Sequence, residues 1–327
     1  MLYFTIALRG RASTNQWDKV VADFENTLNS IFGQNSPEFC VYVGCNDIPQ
    51  LSRNFGNQLH FVEVNTPRPQ GWLDCCRDRA WKQLACCAAI KHELGKKLSN
   101  QGIFVFPVDA DDFVSNRLAE YVAQHPDANG FKSAKSYKWY KGSKVMEITP
   151  YFGGSMNIMR LKPDELPEEL PDISLCFDKA TCIQLNEKYP VRWDDIAVEE
   201  KMRKLGRPFR KLPFCSTIYV LNTGENISTN DPQATGMEDK KIHLGVLAKK
   251  ANPFIWKKID EDYKRVFINK STGVAEWYQS LSRFTIALTH WCGVFTQFFI
   301  KLIPTMNYFL WMMVRQTVVV NYVTDLP

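Results

Sequence analysis

Between Gly102 and Asp109 the chain reads Ile-Phe-Val-Phe-Pro-Val, and the run ends abruptly on Asp109-Ala110-Asp111-Asp112. Six residues without a charged or polar partner face do not alternate between core and solvent. They read as a strand buried on both faces, the situation of a parallel sheet covered by helices. Open α/β sheets place ligands beyond the carboxyl ends of such strands, which is where these three carboxylates are delivered. A solvated acidic turn is the plain alternative, since Asp-x-Asp is common in loops; the position after a buried strand favours a site.

The rest of the chain supports an α/β reading. Leu2 to Leu8 is a buried first strand running into Arg9-Gly10-Arg11, and from Asn15 the apolar positions Trp17, Val20, Val21, Phe24, Leu28 and Ile31 mark one helix face that stops near Gly33. Strands are predicted at Phe39–Val43 and His60–Val64, the first broken by Gly44-Cys45-Asn46-Asp47 and the second by the Pro67 to Gly71 punctuation. A helix follows from Trp72 to Leu98, with Leu73, Cys76, Ala80, Leu84, Cys87, Leu94 and Leu98 on its core stripe. Beyond the carboxylates the pattern predicts a helix at 118–124, a strand at 130–140, a strand or Gly-containing loop at 151–160, a helix at 196–205 and a strand at 216–221. The expectation is a Rossmann-like mixed sheet flanked by helices over residues 1–235, with a nucleotide-binding half at 1–112 and an acceptor half at 113–235.

Charge separates the remainder. Between Lys240 and Lys270 stand nine Lys or Arg against three acids, a local +6 that leaves the other residues at −1 out of the chain's net +5. Residues 236–274 therefore read as a basic linker and 275–327 as a helical, partly apolar appendage. Spanning a bilayer takes about 20 apolar residues, whereas the run from Phe284 to Ile300 is interrupted by Thr289, His290 and Gln297 and followed by Lys301 and Pro304. Two helices lying at an interface fit this pattern, so 240–314 is a candidate for peripheral membrane contact, with packing on the catalytic domain or on another subunit as the alternative. Ten cysteines without a secretory signal read as reduced thiols, and the adjacent pairs Cys75-Cys76 and Cys86-Cys87 read as small core residues. Neighbours on a helix point about 100° apart and do not converge on zinc. The expected location is cytoplasmic, at the inner face of the membrane where the appendage makes contact, and nucleic acid is not an expected partner.

Two carboxylates one residue apart at a strand end can reach one hard cation together with diphosphate oxygens, which suits Mn2+ or Mg2+. Arg9, Arg11, Arg77, Arg79 and Lys82 are candidate diphosphate partners, since guanidinium forks match phosphate oxygens, though each also reads as an ordinary solvated charge. Neither Gly-x-Gly-x-x-Gly nor Gly-x-x-x-x-Gly-Lys-Ser/Thr follows a strand, which weighs against dinucleotide and ATP-grasping sites.

Phe106-Pro107-Val108-Asp109-Ala110-Asp111-Asp112 resembles the strand-end Asp-x-Asp-Asp motif of family-2-like glycosyltransferases of the GT-A fold. Tyr151-Phe152-Gly153-Gly154-Ser155 resembles that family's acceptor-side segment, and Trp193-Asp194-Asp195, followed by a helix and Lys204-Leu205-Gly206, resembles its catalytic motif. The resemblance covers roughly residues 1–230. It implies a metal-dependent, hexosyltransferase-type enzyme. Sugar would move, with inversion, from a nucleoside-diphosphate donor, a UDP-sugar being expected, to a hydroxyl on a glycan or lipid-linked acceptor, as in surface polysaccharide or glycolipid synthesis. Residue by residue, it implies that Asp109 meets the ribose or the metal, Asp111 ligates the metal and Asp195 is the general base, with Asp194 in the place of the family's Glu. Gly153, Gly154 and Trp193 fall on the acceptor side. From the residues alone, Asp194 and Asp195 read equally as caps of the helix that follows. The sequence departs from the pattern twice: Gly44-Cys45-Asn46 stands where the family carries a base-reading acid, leaving Asp47 as the nearest, and Asn222 to Ser228 lacks the late His ligand, with Asn222 or Glu225 as substitutes. A sugar-nucleotide nucleotidyltransferase and a degenerate binding or assembly module at the membrane are the alternatives.

Overall fold

The computed structural model describes residues 1–133, 136–141, 146–149, 154–192, 197–221 and 223–225. All belong to the first of two compact units of the chain, Met1–Thr272. The basic linker and the apolar appendage lie outside the described residues. Among the described residues, no helix is long and apolar enough to cross a membrane.

The chain alternates as the sequence predicts through its first third: β1 (Leu2–Ala7), α1 (Trp17–Ile31), β2 (Phe39–Cys45), β3 (Leu59–Glu63), α2 (Trp72–Leu94) and β4 (Ile103–Asp109). Then come β5 (Phe113–Val114), α3 (Leu118–Gln124), β6 (Gly130–Lys132), β7 (Ser136–Tyr140), β8 (Met146–Thr149), β9 (Asn157–Leu161), α4 (Lys179–Lys188), α5 (Ala197–Lys204), β10 (Arg210–Lys211) and β11 (Thr217–Leu221). Seven strands form a mixed sheet in the order β10-β6-β9-β4-β1-β2-β3, parallel from β4 to β3 and antiparallel where β9 joins β4 and β6. A second sheet runs β5-β11-β7-β8.

Helices cover both faces of the large sheet, which explains why its strands read as unbroken apolar runs. Leu2, Phe4 and Ile6 of β1 point into one core with Phe24, Leu28 and Ile31 of α1 and Leu118 and Val122 of α3. Tyr3 points the other way, into a second core with Trp81, Leu84 and Ile90 of α2, Leu185 of α4 and Met202 of α5. Successive side chains on opposite faces are the period of a strand, here hidden because both faces are dry.

Two expectations are corrected. The single strand predicted at 130–140 is two, because Gly130–Lys132 pairs with β9 in the large sheet whereas Ser136–Tyr140 pairs with β8 and β11 in the small one. Within the segment read as a strand or Gly-containing loop at 151–160, residues 154–156 are irregular and the strand runs Asn157–Leu161. The core stripe assigned to α2 fails at its start: Leu73 is 53% exposed and Cys76 is exposed, while every residue from Trp81 to Cys87 is buried. Lys82 stands opposite Gly44, one residue from the end of β2, so the turns before it project past the sheet. The middle of α2 lies between the sheet and the short 3-10 turn at Pro190–Arg192, and is therefore buried all round. Helix α4, with only Cys182 and Leu185 buried, lacks the periodic stripe that would have announced it. Among the described residues no disulfide is formed, and Cys86 and Cys87 lie fully inside the second core.

The contact between α2 and β2 depends on a missing side chain. A Cβ on Gly44 would lie 2.7 Å from the Lys82 carbonyl oxygen and 2.8 Å from its Cβ. Neither backbone can retreat easily, since β2 is paired on both edges and Lys82 is tied to Leu8 O and Asp78. Gly44→Ala is expected to lower stability by about 1–3 kcal/mol, the usual cost of overpacking a dense core, read as a shift of the urea midpoint at unchanged slope.

Candidate active site

In the parallel part of the sheet Ala7 is in register with Gly44 on one side and with Asp109 on the other. The carboxyl ends of β1, β2 and β4 therefore share one edge, and the segments leaving them, Leu8–Arg11, Asn46–Asp47 and Asp109–Asp112, rim one crevice. The strand order reverses about β1, the switch point at which open sheets bind ligands.

Asp112 anchors this edge. Its side chain is fully buried and accepts hydrogen bonds from Ser155 Oγ at 2.7 Å and from the Val220 amide at 3.0 Å. The Ser155 hydroxyl in turn accepts the Asp109 amide at 3.0 Å. Burial, reinforced by the Asp109 and Asp111 charges, pushes the Asp112 carboxyl well above the ordinary range.

Asp109 and Asp111 face the crevice. Asp109 Oδ1 lies 3.1 Å from Arg79 Nε, an ion pair between β4 and α2. Gly154 backs this pair so closely that a Cβ there would stand 2.2 Å from Arg79 Nη2 and 2.3 Å from Asp109 Oδ2. Asp111 is half-buried, with Thr223 Oγ1 at 3.4 Å from its Oδ2. Burial first, then the neighbouring Asp109 and Asp23 carboxylates, push Asp111 up to about 7.

The predicted cationic residues separate into two groups. Arg9 reaches the crevice rim, where it pairs with Glu225, and Arg79 reaches it beside Asp109. Lys82 does not: only 1% exposed, its ammonium donates to Leu8 O at 2.9 Å and to Asp78 Oδ2 at 2.8 Å, holding the β1 loop to α2 from within. Arg77 turns away to Asp74 and Phe177 O. Asp47 accepts the Arg11 amide at 2.8 Å, joining the loops after β1 and β2, while the Arg11 side chain is exposed. Gly153, Trp193, Asp194 and Asp195 lie outside the described residues; α5 begins at Ala197, directly downstream of the last two.

Sequence reasoning missed Ser155, Asp23, Thr27, Lys141 and Thr223. Asp23 is buried on α1 and pairs with Lys141, and Thr27 Oγ1 donates to Ala110 O at 2.9 Å. A signal for Asp23 and Thr27 was available: Asp23, Thr27 and Ser30 interrupt the buried face of α1 at spacings of four and three, where polar groups need a partner. Lys141 and Thr223 carry no such signal, because the second sheet brings them from distant parts of the chain.

Among the described residues no three His, Cys, Asp or Glu side chains converge to hold a metal by themselves. Two carboxylates at the crevice, with the third locked in the core, are a donor set that suits a hard cation completed by water and phosphate oxygens.

No protein-family model matches the chain, and no curated protein matches it. Among solved structures it is similar to residues 1–349 of S. aureus TarS, at 12% identity over 67% of this chain and 60% of that one, with a TM-score of 0.32. It is also similar to Rv0371c from Mycobacterium tuberculosis H37Rv in complex with manganese, at 10% identity over 67% and 88% of the two chains, TM-score 0.30. A third is the glycosyltransferase GlyE of Streptococcus pneumoniae TIGR4, at 12% identity over 64% and 45%, TM-score 0.31. The chain thus spans less than two thirds of the TarS fragment and under half of GlyE. Likenesses this distant assign no activity.

Two outcomes are expected. Asp112→Ala leaves the Val220 amide and the Ser155 hydroxyl buried without their acceptor and should cost about 1–3 kcal/mol by urea unfolding, with Asp112→Asn costing less because its amide oxygen still accepts. The raised carboxyls of Asp111 and Asp112 make the folded chain bind protons more tightly than the unfolded one. The Asp111 contribution to stability is intact below the unfolded carboxylate pKa of about 4 and is lost as pH rises through about 7, and the Asp112 contribution has the same sign. In chelator the thermal midpoint of the parent should therefore carry a falling component over that window, and Asp111→Asn should flatten it.

Proposed function

We propose that this chain is a glycosyltransferase of the GT-A type that moves a sugar from a nucleoside-diphosphate donor to a hydroxyl acceptor with inversion. The observation that carries the reading is Asp109 and Asp111 at the carboxyl edge of β4, at the switch point of the sheet, with Arg9 and Arg79 on either side. A sugar nucleotide departs as a diphosphate that gains negative charge in the transition state, so cations fixed around its oxygens lower the barrier. Arg9 and Arg79 offer guanidinium forks to those oxygens, and Asp111 and Asp109 would hold Mn2+ or Mg2+, which when bound supplies further positive charge to the leaving group. Asp109, paired with Arg79, is assigned the ribose hydroxyl as the alternative to the metal.

The acceptor hydroxyl must lose a proton as its bond to the sugar forms, a step for which a positioned carboxylate contributes about 10²- to 10⁴-fold. Asp195 is assigned this role and Asp194 supports it, both preceding α5. Gly153, Gly154 and Trp193 are assigned to the acceptor side; at Gly154 the absence of a side chain lets the Arg79–Asp109 pair lie against the backbone, in space that a Cβ would contest. The donor is read as a UDP-sugar and the acceptor as a glycan or lipid-linked hydroxyl at the cytoplasmic face of a membrane, with 240–314 as the peripheral contact.

A thermal shift with nucleoside diphosphates, with and without Mn2+, tests the donor site. A ligand at about 100 times its dissociation constant stabilises by roughly 2.7 kcal/mol, so the parent should shift only when nucleotide and metal are both present. Asp111→Asn should lose that shift, and Asp195→Asn should keep it while losing transfer. No shift with any nucleotide would overturn the reading.

A further inference from the structure

The segment after β11 crosses to the donor side of the crevice. Thr223 Oγ1 approaches Asp111 and also accepts the Glu225 amide at 3.2 Å, and Lys19 Nζ of α1 lies against Gly224, 2.7 Å from where a Cβ would stand. Glu225 then pairs with Arg9, with side chains 15% and 25% exposed. Both residues that the proposed function assigns to the donor's charged end on this side, Arg9 and Asp111, are thus touched by one three-residue stretch.

A carboxylate on a guanidinium presents two oxygens in the geometry of a phosphate edge. Glu225 therefore has the charge and shape to occupy the position that a donor phosphate would take on Arg9. We propose that Glu225 is an internal competitor for the donor diphosphate: it holds Arg9 in the ligand-free protein and is displaced when the diphosphate binds. The exchange favours ligands carrying more negative charge than a single carboxylate, so Glu225 sets a charge threshold on what enters the site. This rests on the glycosyl-transfer reading only in taking Arg9 as a phosphate ligand.

The test is calorimetric titration of the full chain with inorganic pyrophosphate and with UDP, each with Mn2+ present, on four proteins: parent, Glu225→Gln, Arg9→Gln and the double variant. Removing one charge-assisted partner of Arg9 should tighten both ligands about tenfold, the scale of one such hydrogen bond. In the Arg9→Gln background the same Glu225→Gln change should have no effect, which separates release of Arg9 from a general loss of negative charge. Weaker binding by Glu225→Gln would show that Glu225 supports the ligand and would overturn the proposal. So would an unchanged affinity, or a gain that persists without Arg9. Failure of the parent and every variant to bind either ligand would overturn the donor-site reading along with it, whereas binding without the predicted gain removes only the competitor role.

Discussion

The presentation of this crevice depends on one buried carboxylate. Asp112 is removed from water at the cost of desolvation, and the return is that its two oxygens fix three segments that are far apart in sequence: the turn after β4, the approach to β9 through Ser155, and β11 through the Val220 amide. Because the Ser155 hydroxyl also accepts the Asp109 amide, the backbone that carries the other two carboxylates is held from below. A loop with three acids in four residues would otherwise spread to relieve their repulsion. Here the third acid is used to prevent that, and burial together with the nearby Asp109 charge raises the Asp111 carboxyl.

Around this anchor the charges are arranged in pairs across elements. Arg79 of α2 meets Asp109, Lys141 after β7 meets Asp23 of α1, and Arg9 after β1 meets Glu225 after β11. Each pair joins a part of the large sheet or its helices to another layer, and each leaves a charged group at least partly accessible. Exposed ion pairs contribute little to stability, so their use here is better understood as positioning. Such an arrangement is nearly neutral without ligand and can be re-paired by an incoming polyanion, whereas an unpaired cluster of either sign would strain the fold.

Much of the frame was legible in the sequence because it depends on short-range pattern. The strands at 2–7, 39–45, 59–63 and 103–109 and the helices at 17–31 and 118–124 fall where apolar runs and helical spacing put them. The strand-end position of Asp109 to Asp112 followed from the same logic. What was not legible depends on which segments meet. Lys82 reads as a surface charge on a helix, yet the register of α2 against Gly44 sends it inward to Asp78 and the Leu8 carbonyl. The split of 130–140 between two sheets is decided by partners at β9 and β11, so the continuous β-forming stretch gave no sign of it. The start of α2 looks like core by period, yet Leu73 and Cys76 are exposed because the sheet ends beneath them.

The division of labour between the two sheets follows from these observations. The large sheet supplies the parallel edge, the switch point and the carboxylates, all set by local sequence. The small sheet supplies Val220, Thr223 and Glu225 through β11 and its exit, and Lys141 through β7. Residues of the second kind meet the site only because β11 pairs in parallel with β7 and antiparallel with β5, two residues beyond Asp111. The carboxylates are therefore brought to the edge by the chain segment that carries them, while the groups that anchor and tune them arrive through long-range contacts. Changes at the exit of β11, beyond Val220, can alter the charge balance on Arg9 and Asp111 while leaving the Asp112 anchor in place, which makes that exit the part of the fold best suited to adjust ligand selection.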